Sequence, residues 1–137
     1  MEYVKQEIIR LHDFFVDWMT GTIEQTDENY ALFADSMGQG FYIVAPSGKL
    51  TQRDALLAGL YNTYNQRQNF RIWIENVQVR HQVGNIIVAT YEEWQEDRDK
   101  QDTTVRQSSV VFEVDDAHPF GLVWQCVHET WLPTTPK

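Results

Sequence analysis

Cys126 is the only cysteine in the chain, so no disulfide can close within it, and a structural zinc site built on several thiolates is excluded. Positive charge is scarce as well. Eleven Lys and Arg stand against twenty Asp and Glu, for a net charge of −9. No basic patch is visible that could release counterions from a phosphate backbone. Nucleic acid is therefore not an expected partner, and neither is an anionic membrane surface. No apolar run approaches the ~20 residues that span a bilayer. The opening stretch MEYVKQEIIRLHDFF carries a charge every few residues and does not read as a secretory leader. The cytoplasm is the expected compartment. No GxGxxG, Walker-type loop or GxSxG occurs, and no cofactor is expected. The four histidines, at 12, 81, 118 and 128, show no ligand spacing, and no metal is expected.

Aromatic side chains, by contrast, are plentiful: five Trp, six Tyr and seven Phe in 137 residues. They exceed what one core of this size needs, and some are expected to line a pocket or an interface. The length suits a single domain over residues 1–137.

Val4, Ile8, Leu11, Phe15 and Trp18 recur at steps of four and three, one stripe of an amphipathic helix over residues 3–19. Gly21 is its stop signal. TDENYALFAD reads as a second, short helix capped by Thr26 or Asp27. GFYIVAPSGK is a short strand and a turn. TQRDALLAGLYNTYN is a third helix, with Thr51 and Asp54 resembling a capping box. From residue 70 the period changes to two, and four strands fit: about 70–82, 86–97, 103–115 and 121–132. Helices segregated from an antiparallel meander make an α+β fold, with three N-terminal helices on a curved sheet. Long strands that coil around helices need bulges. Apolar positions switch from even (Ile72, Ile74) to odd (Val77, Val79) near Glu75–Asn76, the mark of one inserted residue.

Several phrases carry a resemblance: FFVDWMTGTI in the first helix, FADSMGQGFYIVAPSGKLTQRDAL around the short strand, GNIIVATYEEW after the first hairpin and LVWQCVHETWLP near the end. Together with the element order they resemble the nuclear transport factor 2-like superfamily, which includes SnoaL-like cyclases and ketosteroid isomerases. The phrases are most similar to members of unassigned function. The resemblance implies a conical half-barrel, a pocket between helices and sheet, and homodimers through the outer sheet face.

Alternation assigns faces. Inward on the second long strand are expected Ile87, Ala89, Tyr91, Glu93 and Gln95, although the other face, Ile86, Val88, Thr90, Glu92 and Trp94, is also apolar and suits a sheet covered on both sides. On the third strand two faces stay open, Arg106, Ser108, Val110 and Phe112 against Val105, Gln107, Ser109 and Val111, and the first is taken as inward. On the last strand Leu122, Trp124, Cys126 and His128 are expected inward, because Trp and Cys are more often buried than Gln. Glu129 then falls outside. The expected ligand-binding set is Trp18, Phe15, Tyr42, Tyr91, Glu93, Arg106, Trp124 and His128. An aromatic wall with a few converging polar groups suits a small apolar or aromatic molecule.

His128 reads first as a hydrogen-bonded histidine at the pocket rim and second as a general base. Glu93 and Arg106 read as a cross-strand ion pair or as a ligand-orienting pair. His12, Asp13 and Asp17 read as a solvated face. A second function class is an isomerase, dehydratase or cyclase. It would use His128 or Asp35 for proton transfer and Tyr91 or Tyr42 to stabilise an oxyanion. A third is a protein-interaction module working through Trp94 and Trp131 on the outer face.

Overall fold

The computed structural model describes residues 1–134. Three helices and six strands follow in the order α1 (Glu2–Thr20), α2 (Asp27–Ala34), β1 (Met37–Val44), β2 (Leu50–Gln52), α3 (Arg53–Tyr61), β3 (Phe70–Val83), β4 (Ile86–Asp97), β5 (Asp102–Val114) and β6 (Leu122–Leu132). The fold is α+β. One sheet runs β2-β1-β6-β5-β4-β3, antiparallel at every junction except the parallel pair β1 with β6.

The stripe on α1 buries Val4, Ile8, Leu11 and Trp18, joined by Phe14. Gly21 ends the helix at φ 74°, a left-handed conformation that costs glycine nothing sterically, and its N–H reaches back to the Trp18 carbonyl. Trp18 is the centre of an aromatic cluster, its ring 4.8 Å from those of Tyr30 and Tyr64. Its indole N–H donates to the Leu60 carbonyl, which ties α1 to α3. Tyr30 likewise donates to the Leu57 carbonyl. These polar tips are satisfied, so the rings contribute their full burial.

The Thr26 side chain caps α2 by accepting from the Asn29 N–H. The capping box expected at Thr51 is not formed. Thr51 belongs to the short strand β2, and Gln52 begins α3 without a side-chain cap.

The expected bulge in β3 is present. Glu75 pairs with Glu92, but Thr90 pairs with Gln78, so β3 carries one extra residue there, and Asn76 has φ 55°. A second extra residue falls between Val79 and His81. A third bulge, not foreseen, lies in β6. Phe112 pairs with Trp124 and the adjacent Val111 with Cys126, which leaves Gln125 without a partner on β5. One inserted residue reverses which face every later side chain takes.

Candidate functional site

Between α1, α3 and the concave face of the sheet lies a cavity of about 180 Å³. Its walls are apolar: Leu11, Phe15 and Met19 from α1, Leu56 and Leu60 from α3, Phe41 and Ile43 from β1. Its polar side is built from His12, Tyr91, Glu93, Gln95, Arg106 and Glu129. Four elements supply these groups: α1, β4, β5 and β6.

Alternation along β4 places Ala89, Tyr91, Glu93 and Gln95 on the concave face, and burial follows the same phase. On β5 the matching phase is Arg106, Ser108, Val110 and Phe112. The phase on β6 is where the sequence expectation fails. Leu122 and Trp124 are buried, but past the unpaired Gln125 the buried residues are Val127 and Glu129. His128 is exposed on the outer face, and the inward placement expected for it is corrected by the bulge. Glu129 takes the inward position, 7% exposed. Trp131 shares its phase, and the Arg106 guanidinium carbon lies 4.6 Å from the Trp131 ring centre. Trp131 thus stands at the concave side's edge and not on the outer face.

His12 is the second correction. It is buried, not solvated. Nδ1 is 2.7 Å from the Ile8 carbonyl and Nε2 is 3.0 Å from Oε1 of Glu93. A carbonyl and a carboxylate both only accept, so both ring nitrogens must donate, and the ring is an imidazolium. Burial pulls the His12 pKa down, but the charge and hydrogen bond of Glu93 and the Ile8 carbonyl outweigh it and the net shift is upward. Burial pushes Glu93 up, yet His12, Arg106 and the Gln95 amide bring its carboxyl down to about 2. Gln95 donates to Glu93 at 2.6 Å.

Glu93 and Arg106 do stand opposite each other in the β4–β5 register. Their side chains are not bonded to one another. Arg106 instead donates from Nη1 to Oε1 of Glu129 at 3.3 Å. Burial, then the charge of Glu93, pushes the Glu129 carboxyl up to about 7 against the opposing pull of Arg106. Burial likewise drives the Tyr91 phenol well above its ordinary range, with Glu93 and Glu129 adding to the effect, so Tyr91 keeps its proton. Chemically, the site offers one ionised pair, one carboxyl able to change protonation near neutrality, one phenol donor and one arginine.

The other expected residues separate. Phe15, Tyr91, Glu93, Arg106 and Trp124 line the cavity. Trp18 is fully buried beside the cavity, in the aromatic cluster. Tyr42 is 40% exposed and borders a surface recess with Gln39, Leu50 and Arg53. Asp35 ends α2, exposed, and its carbonyl accepts from His118 Nε2 at 2.9 Å. Trp124 donates its indole N–H to buried Glu7 at 2.9 Å. Among the described residues no group of three or more His, Cys, Asp or Glu is placed to hold a metal ion.

The family model of the sucrose-6-phosphate phosphohydrolase C-terminal region matches residues 4–133. The chain belongs to that family. Sucrose-phosphatase 2 of Nicotiana tabacum is 33% identical over 132 residues, 92% of this chain and 30% of that protein. Probable sucrose-phosphatase 2 of Arabidopsis thaliana is 27% identical over 134 residues, again 30% of that protein's length. The chain spans about a third of the length of the curated relatives it matches. Its fold is that of nuclear transport factor 2-like proteins. An NTF-2 like protein of unknown function from Pseudomonas aeruginosa superposes with a TM-score of 0.85 at 23% identity, over 96% of this chain and 99% of that one. The CaMKII hub of S. rosetta shares the fold at a TM-score of 0.58 and 16% identity, over 81% of this chain and 94% of that one.

Within this family member, sequence reasoning missed His12, Arg67 and Glu129 as cavity residues. A signal existed for two of them. His12 is one helical turn beyond Ile8, beside the apolar stripe. Val127 breaks the even phase of Leu122 and Trp124 just as Val77 breaks it in β3.

Proposed function

We propose that this chain is a small-molecule-binding module, taking a compact ligand with an apolar body and one polar end. One observation carries the reading: the cone is not packed solid, and its apolar walls converge on Tyr91, Arg106 and Glu129 around a void of about 180 Å³. Drug-sized ligands usually occupy roughly 300 Å³ or more. An enclosed disaccharide phosphate, the substrate class for which the relatives are named, is therefore disfavoured as occupant of this cavity. The test is native mass spectrometry of the chain purified from its own cells, with denatured protein as reference. A retained mass lost on denaturation is expected. A bare chain, with no fragment from a small aromatic and aliphatic library raising its melting temperature, rejects the reading.

A second reading, proton-transfer catalysis, is favoured by one specific feature. The Glu129 carboxyl, at about 7, shares the cavity with Tyr91. A general acid or base works best near the ambient pH. This reading moves the role from His128 and Asp35 to Glu129. It predicts solvent deuterium entering the α-carbon of a carbonyl compound held in the cavity, lost in E129Q. Binding without exchange leaves only the first reading.

The outer sheet face supports pairing of two copies. Trp73 stacks on Trp94 at 5.7 Å, and six residues further back along β4 Val88 opposes Val111, all only half-buried. A dimer in sedimentation velocity that V111R converts to monomer is expected; a monomer at every concentration rejects it. Among the described residues no helix is long and apolar enough to cross a membrane, and a cytoplasmic location is part of the proposal.

A further inference from the structure

Among the described residues, three buried side-chain polar atoms have no hydrogen-bond partner: Nε of Arg67, Nε of Arg106 and Oγ of Ser108. Both arginines line the cavity. A buried donor left unmatched carries its whole desolvation cost, which an acceptor on a bound ligand would offset. Arg106 is the better placed of the two. Its side chain is 16% exposed against 34% for that of Arg67, which stacks on Phe70 and donates to Asp97 at 3.1 Å. Arg106 lies between Glu129 and the Trp131 ring with one long bond, although a guanidinium offers five donors in a fork that matches a carboxylate.

We propose that the ligand is a small monocarboxylic acid, its carboxylate seated on Arg106 and its apolar tail among Phe15, Phe41 and Leu60. This assignment of ligand class rests on the binding reading above. A dry cavity of about 150 Å³ is enough for benzene. The 180 Å³ here holds such a ring with a short acidic arm.

Two carboxylates on one arginine repel unless one carries a proton. Glu129 is suited to carry it, because its carboxyl sits at about 7 before any ligand enters. The groups facing it are Glu93 and Tyr91 from β4, Arg106 from β5 and His12 from α1. A ligand anion adds negative charge, so Glu129 takes up a proton as the acid binds and donates it to the ligand. Affinity is then level below about pH 7 and falls by up to about tenfold per unit above it.

The probes are benzoate, benzamide and benzyl alcohol, titrated calorimetrically into the full chain at about pH 6 and about pH 8, on either side of the Glu129 value. Benzoate is expected to bind about tenfold tighter at the lower pH, and its binding at the higher pH is expected to take up close to one proton at Glu129. R106Q loses benzoate binding, and R106K keeps part of it. E129Q binds benzoate with the pH dependence gone. If the amide and the alcohol bind as well as the acid, the carboxylate assignment is overturned while the cavity remains a binding site. If none of the three binds, both this inference and the reading it rests on fail. The comparison of acid with amide needs no variant, so it stands even where R106Q does not fold.

Discussion

Nε2 of His12 meets Oε1 of Glu93 at 3.0 Å, across 81 residues of chain and from helix to sheet. Both partners are buried, so the pair is a strong tie between α1 and β4 and a costly one to break.

Removing either partner leaves the other charge buried alone. E93Q and H12L are each expected to cost about 3–5 kcal/mol in urea unfolding. The double variant is expected to cost less than the sum, because the pair acts as a unit. Additive losses would remove the pair from this account.

The pH profile of stability follows from the same two groups. Glu93 falls from 4.5 unfolded to about 2 folded, so its contribution is present above about 4.5 and is lost as pH drops through about 2. His12 rises from 6.5, so its contribution is full below about 6.5 and is lost as pH rises through its elevated folded value. The pair's greatest contribution lies between about 4.5 and 6.5, measurable by urea midpoints across the range. In H12L this acid-side maximum is expected to flatten.

Glu129 acts in the opposite sense. Its folded pKa of about 7 exceeds the unfolded 4.5, so the fold is penalised progressively as pH rises from about 4.5 to 7, by on the order of 3 kcal/mol once fully ionised. E129Q is expected to be more stable than the parent at about pH 8 and about equal to it at pH 4. A loss of stability at the higher pH would show that the bond to Arg106 outweighs burial.

Trp124 and Glu7 form a second buried link, indole N–H to carboxylate at 2.9 Å, with Arg10 donating to the same carboxylate at 2.7 and 2.8 Å. Trp124→Phe keeps most of the ring burial but removes the donor. A loss of about 1–3 kcal/mol is expected from the hydrogen bond to a charged group. E7Q in the same background should recover part of it.

Deleting Gln125 tests the bulge. The remaining strand would carry His128 inward and Glu129 and Trp131 outward, removing the partner of Arg106. The deletion is expected to lower the urea midpoint sharply and to abolish near-ultraviolet dichroism from Trp124. A deletion variant as stable as the parent would mean that Gln125 is not the residue that sets the phase of β6.

Much of the architecture was legible in local pattern. The steps of α1 and the period-two runs of β3 to β6 are imposed by backbone geometry, so periodicity reveals them without knowing what packs where. The Glu75–Asn76 bulge was legible for the same reason, because an inserted residue shifts the apolar phase on its own strand. The β6 bulge was harder to read. Cys126 and Val127 are both small and apolar, so composition gave two continuations from Trp124, and only the pairing of Phe112 and Val111 with Trp124 and Cys126 selects one.

The amino-acid order by itself determined the three helices, the short strand β1 and the four long strands, because these follow from side-chain period within one segment; it left two apolar faces to choose between on β4 and β5, and it did not disclose the short β2. Tertiary structure decided the charges of the site. His12 becomes a buried cation only when Glu93 arrives opposite it, and Glu129 becomes a titrating group only when the sheet desolvates it beside Glu93 and Arg106. Burial and charge proximity are properties of neighbours in space, and no spacing along the chain encodes them.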